Sequence, residues 1–174
     1  MIVSCKPSDV EIEIYTSDIE SAFDGEVVEV PLKVSFSLMG EDKDNQLPDA
    51  KKLALKYMPG DSEIEISKGN LGQVMTIVST IPLGSSSSLS KFLKKNPRIA
   101  MVVVENGMVT LQPTETLEKL DKELSNINFM LGVELPASNT SFRVVSDSKG
   151  KVNISATAVF SEKKPYPHFS KDIK

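Results

Sequence analysis

Val10-Glu11-Ile12-Glu13-Ile14-Tyr15 alternates between aliphatic and polar residues. A stretch with this period buries every second side chain only if it is extended. The pattern predicts a strand with Val10, Ile12 and Ile14 turned inward. It returns between Glu26 and Met39, first as Val28, Val30, Leu32 and Val34 and then as Phe36 and Leu38. Pro31 has no amide hydrogen for a ladder, so this second strand is expected at a sheet edge or a bulge. Glu63-Ile64-Glu65-Ile66 alternates again, and the turn-forming Lys68-Gly69-Asn70 leads into the β-branched run Val74 to Ile81. A hairpin is predicted there. Asn106-Gly107 favours a type I′ turn and joins the apolar run Arg98 to Val104 to a returning strand, Met108 to Gln112. Further strands are expected at Ser141 to Ser146 and Val152 to Phe160, around the turn Asp147-Ser148-Lys149-Gly150.

Between these strands lie segments of helical period. Ser17-Asp18-Ile19-Glu20 matches a capping box for a short helix through Phe23, with Gly25 as its left-handed stop. Asp49 to Met58 places Ala50, Leu53, Ala54, Tyr57 and Met58 at helical spacing before Pro59-Gly60. The last serine of Gly84-Ser85-Ser86-Ser87-Ser88 is expected to cap a helix from Leu89 to Lys95. Thr114 to Ile127 has Leu117, Leu120, Leu124 and Ile127 on one face and acids in its first turn. Hairpins outnumber strand–helix–strand alternations in this order. The expected fold is therefore α+β, a largely antiparallel β-sheet built from hairpins with three or four short helices packed against it. Residues 1–8 read as a tether, 9–162 as one domain and 163–174 as a flexible tail.

The chain has 174 residues, enough to bury a core, and no Trp, so that core must come from Val, Ile, Leu, Met and a few Phe. Its methionines, Met39, Met58, Met75, Met101, Met108 and Met130 besides Met1, read as core filling; a pliable pocket for an apolar ligand is the other use of such residues. The net charge is −4 and the basic residues cluster no further than pairs such as Lys51-Lys52 and Lys94-Lys95. That argues against nucleic acid as a partner. Cys5 is the single cysteine and His168 the single histidine, which removes an internal disulfide, most metal sites and most nucleophilic triads.

The acidic loop Glu41-Asp42-Lys43-Asp44-Asn45-Gln46 offers oxygen ligands. Counted from Asp42, however, its sixth position is Leu47 and its twelfth Leu53, which an EF-hand does not allow. It reads as a solvated loop. Pro165-Tyr166-Pro167-His168-Phe169 reads as a frayed end, the alternative being a proline-rich segment that docks in a groove. The pairs Glu11/Glu13 and Glu63/Glu65 each stand on one strand face roughly 7 Å apart, a spacing that suggests carboxylate hydrolysis; alternating acids on the wet face of a strand are the commoner cause. No phosphate loop, dinucleotide fingerprint or nucleophile elbow is present. No catalytic, cofactor-binding or metal residue is expected, and the chain does not read as an enzyme.

Ile2-Val3-Ser4-Cys5 resembles the lipobox that ends a bacterial lipoprotein signal peptide: an aliphatic residue, a small or aliphatic one, a small one, then the cysteine that takes the lipid. The opening Asp9 to Asp18 also resembles small lipoproteins of unknown function, some carried by prophages. The resemblance implies Cys5 as the lipid-attachment residue and a domain hung from a membrane by its lipid alone. Two or more acyl chains are needed for firm anchoring. Lys6, where an Asp would retain such a protein at the inner membrane, implies the outer membrane, facing the periplasm. The apolar stretch ahead of Cys5 is shorter than a full signal. The expected function is a lipid-anchored cell-envelope protein with a non-catalytic role, binding or excluding an envelope protein or an apolar ligand. The alternatives are a soluble cytosolic binding or inhibitor protein of phage or immunity type, guided by its acidic charge, and a carboxylate-dependent hydrolase.

Overall fold

The structure is a computed structural model. It describes residues 7–39, 46–69, 72–127, 133, 135, 140–147, 153–161 and 164–172, with side chains for 9–36, 47–68, 73–127, 133, 135 and 140–147. The elements run β1 (Pro7–Tyr15), α1 (Thr16–Phe23), β2 (Val28–Met39), α2 (Gln46–Lys56), β3 (Glu63–Gly69), β4 (Gly72–Gly84) and α3 (Ser86–Leu93). They continue with β5 (Ala100–Glu105), β6 (Met108–Pro113), α4 (Glu115–Ile127), β7 (Thr140–Val145), β8 (Asn153–Ser161) and β9 (Lys164–Asp172). Seven strands form one sheet in the order β6-β5-β4-β2-β1-β7, with β3 also on β4, curled into a half-barrel; β8 and β9 pair separately. β9 runs through the segment read from sequence as a tail.

The α+β class and the four helices agree with the sequence. The expectation of a largely antiparallel sheet does not hold: the sheet is mixed, with β1 parallel to β7 and β4 parallel to β5. The second pairing is a strand–helix–strand crossover through α3, a connection that returns the chain parallel to its start. The first joins strands more than a hundred residues apart, Val10 opposite Thr140 through Tyr15 opposite Val145.

Pro31 does not put β2 at an edge; β2 lies between β1 and β4. The ladder to β1 ends at Leu32, one residue short of Pro31, so the missing amide falls beyond that ladder. The predicted hairpins form. Gly69 pairs with Gly72 between β3 and β4, and Asn106 and Gly107 both take positive φ, 52° and 75°, as a type I′ turn requires.

Helix ends differ in detail from expectation. α1 starts at Thr16, and Asp18, not Glu20, reaches back to accept from the Tyr15 amide at 2.8 Å. Gly25 does stop it, at φ 91° with its amide on the Ala22 carbonyl. α2 starts earlier than its apolar spacing suggests, because Pro48 is tolerated in a first turn, where amides have no helical partner. α3 starts at Ser86 with Ser85 as its cap, accepting from the Ser88 amide, so three of the serines lie inside the helix. In α4, Leu117, Leu120 and Leu124 are buried as the spacing predicts.

Val10, Ile12 and Ile14 are 0% exposed. Their alternation partners on β2, Val30, Leu32, Val34 and Phe36, join them with Ile77 and Ile81 of β4, Val102 and Val104 of β5, and the α2 and α4 faces carrying Ala50, Ala54, Leu117, Leu120 and Leu124. One core thus fills the inner face of the half-barrel under α2 and α4. Met75 is buried in it and Met58 packs at its border, but Met108 is 45% exposed. Met108 sits directly after the turn, where β6 begins, and so does not fill the core as its residue type suggested. The apolar space beneath α2 and α4 amounts to about 20 Å³, roughly one water-sized probe.

Candidate functional site

The residues that alternate with the core form the outer face of the same sheet. Register fixes which of them stand side by side. Glu11 pairs with Lys33, Lys33 with Val78 and Val78 with Glu63, making one row across β1, β2, β4 and β3. Beside it, Asp9 pairs with Ser35, Ser35 with Thr76 and Thr76 with Glu65. On the other flank Glu13 pairs with Arg143 of β7.

An open groove of about 450 Å³ crosses this face, lined among others by Glu11, Glu13, Pro31, Lys33, Val78 and Arg143. Ile12 and Leu32 also border it but are buried on the inner side, so they offer it main chain rather than apolar surface. Val78 is 49% exposed. It stands at the groove's end nearest β3, the one aliphatic side chain among the charged residues of its row.

The charges at the opposite end are tied together. Arg143 holds Glu13 at 2.9 Å, and the Tyr15 hydroxyl donates to the other oxygen of Glu13, also at 2.9 Å. That hydrogen bond, then the negative charge of Glu13, raises the Tyr15 pKa above its ordinary value. Lys33 approaches Glu11 only to 4.0 Å, with both side chains more than half exposed, so this pair contributes little. Arg98 holds Glu29 at 2.9 Å at the rim and lies over the Phe92 ring. Among the described residues, no ion pair reaches Asp9, Glu63 or Glu65.

Two polar clusters away from the groove hold the scaffold. Asp147, directly after β7, accepts at its Oδ1 from the Thr16 hydroxyl (2.9 Å) and the Ser17 amide (3.0 Å). Its Oδ2 accepts from the Ser17 hydroxyl at 2.7 Å, and its own amide donates back to Thr16 at 3.1 Å. A carboxylate at the start of α1 satisfies free amides and meets the positive end of the helix dipole. The Ser17 hydrogen bonds, hydroxyl first, hold the Asp147 carboxyl below its ordinary range. At the other end of the sheet, Glu123 of α4 accepts from the Tyr57 hydroxyl and from Lys56, which follow one another at the end of α2. The Tyr57 bond lowers Glu123, and the same carboxylate raises Tyr57 and Lys56.

The carboxylate pairs singled out in the sequence therefore lie on this outer face, but on different strands. Glu11 and Glu63 are separated by β2 and β4, roughly 14 Å at three strand spacings. Cys5 and the acidic loop 41–45 fall outside the described residues, and His168 falls in β9. Sequence reasoning missed Lys33, Val78 and Arg143. The alternation of Leu32 and Val34 already turns Lys33 outward; Val78 and Arg143 needed register, because neither the run around Val78 nor Arg143 alternates visibly. Among the described residues no group of His, Cys, Asp and Glu is arranged to hold a metal ion, and no helix is long and apolar enough to cross a membrane.

Compared with protein-family models, curated proteins and solved structures, the chain has no significant match to any.

Proposed function

We propose that this chain is a non-catalytic binding protein of a bacterial cell envelope, carried at the outer membrane by a lipid on Cys5, and that it binds through the outer face of β1, β2, β3, β4 and β7. The observation that carries the binding reading is the open groove of about 450 Å³ ending on half-exposed Val78. Ligand sites of roughly 300–1,000 Å³ are usual, and an apolar side chain ringed by polar ones is the composition of a small interface. The anchoring reading rests on Ile2-Val3-Ser4-Cys5. β1 begins at Pro7, so a lipid on Cys5 would leave the sheet close to the membrane.

Two experiments on the chain in its native host test the two halves. Membrane fractionation with intact mass, beside a Cys5→Ser variant, tests the anchor; a soluble and unmodified wild type contradicts it and leaves the cytosolic binding protein as the better reading. A photocrosslinking residue at position 78, compared with one at position 108, tests the face. A discrete adduct, identified by mass, is expected at 78 and not at 108. Equal or absent crosslinking at 78 contradicts the assignment.

A further inference from the structure

We propose that the partner segment taken by the outer face is cationic and extended, a stretch of polypeptide presenting Lys or Arg on both sides of an aliphatic residue; this rests on reading that face as the binding face. In the row Asp9–Ser35–Thr76–Glu65, the two ends are exposed carboxylates with no ion pair among the described residues, and the two middle positions are uncharged. Three strand spacings separate the ends, roughly 14 Å. One step along β4 from that row in the same facing direction stands Val78, 49% exposed, and its β3 neighbour is the third unmatched carboxylate, Glu63.

The cations of the face do not cancel these acids, because Arg143 and Arg98 are each held at 2.9 Å by Glu13 and Glu29. Lys33 lies nearest Glu11. The face thus presents Val78 with Lys33 on one side and Glu63 on the other, and Asp9 and Glu65 at the ends of the next row; its acids (Asp9, Glu11, Glu13, Glu63, Glu65) outnumber Lys33 and Arg143, the complement of a basic segment with an apolar middle. The spacing sets the segment's form. An extended chain rises about 3.3 Å per residue and turns residues i, i+2 and i+4 to one side. Basic residues at i and i+4 therefore stand about 13 Å apart, with residue i+2 between them facing the same way. Laid across the strands, such a segment brings its two cations to Asp9 and Glu65 while the middle side chain lies over Ser35 and Thr76, one register step from Val78. A chain of the same acidic face would be repelled, so a second copy docked face to face is disfavoured.

The test uses the full chain, labelled with nitrogen-15, and three blocked peptides: Lys-Ser-Val-Ser-Lys, the same with Glu in place of both Lys, and the same with Ser in place of both. The lysine peptide is expected to shift the amides of Asp9, Glu65, Thr76 and Val78 saturably. The shifts should fade as ionic strength approaches 1 M, where the screening length is about 3 Å. Asp9→Asn and Glu65→Gln should each weaken binding about two- to fivefold, the range for one exposed ion pair, with unchanged thermal melts showing that the fold is intact. If the neutral or acidic peptide shifts the same amides as strongly, the cationic inference is overturned and the binding-face reading survives. If the lysine peptide shifts only amides away from this face, both are contradicted. If none of the three shifts any amide, the cationic inference fails, and the crosslink at position 78 decides the binding face independently.

Discussion

The two faces of the central sheet come from the same strands, one residue apart, and do opposite work. Ile12 is wholly buried under the helices, while Glu11 beside it is exposed and meets Lys33 only at 4.0 Å. On β4, Ile77 belongs to the core and Val78 stands half in water. The inner face explains why the chain folds. The outer face contributes little that folding requires, since exposed ion pairs add only about 0–1 kcal/mol. A face that the fold does not need, yet which carries a groove and an exposed aliphatic side chain, is available for a partner.

The comparison breaks most visibly at Ile12. Ile12→Ala leaves a void in a fully buried site and is expected to cost about 2–5 kcal/mol, read from urea unfolding. A cost below 1 kcal/mol would mean that the inner face is not packed as described. Thr16→Ala comes next. It removes a buried hydroxyl bonded to Asp147 at 2.9 Å, and loss of about 1–2 kcal/mol is expected, as for other helix-start hydrogen bonds. Thr16→Ser, which keeps the hydroxyl, should recover most of it.

Acid sharpens the contrast without touching the core. The pKa values of Asp147 and Glu123 are lowered in the fold. Their contribution is complete above the ordinary carboxylate range of about 4 and is lost as pH falls through their lowered values. The urea midpoint should therefore decline as pH drops below about 4, and decline less in Asp147→Asn, which has already lost the charge. Tyr57 and Lys56, raised by Glu123, act in the other direction. Their contribution holds below about pH 10 and disappears as pH rises through their folded values. The smallest effect belongs to the outer face: Val78→Ser should change stability by no more than about 0.5 kcal/mol.

How much of this was legible in the sequence follows from the range over which each feature is encoded. The strict alternation of Val10 to Tyr15 and the Asn106-Gly107 turn are local, and both are found as read. Helix α4 declares itself through Leu117, Leu120 and Leu124, which are buried. The parallel pairings were hidden for different reasons. β1 meets β7 across the length of the domain, where no local signal reaches. The β4–α3–β5 crossover was hidden although its helix is legible as Leu89 to Lys95, because both flanking strands also belong to hairpins, β3–β4 and β5–β6, and those hairpins suggest an antiparallel sheet. Asp147 read as a turn residue; its role on α1 exists only once β7 lies beside β1. On the candidate face, Glu11, Glu13, Glu63 and Glu65 were visible as pairs, but their separation by β2 and β4 was not. Val78 was concealed inside a run in which nearly every residue has β propensity, so its outward direction needed the register with Lys33.

The central claim is that the fold spares the outer face, and one comparison tests it most directly. Urea unfolding of a variant combining Glu11→Ser, Lys33→Ser, Glu63→Ser and Val78→Ser should be measured beside Ile12→Ala. The account predicts that the fourfold outer variant stays within about 1 kcal/mol of the wild type while the single inner substitution loses about 2–5 kcal/mol. A fourfold variant that falls as far as Ile12→Ala would show the outer face to be part of what holds the protein together, and would contradict its assignment as a free binding surface.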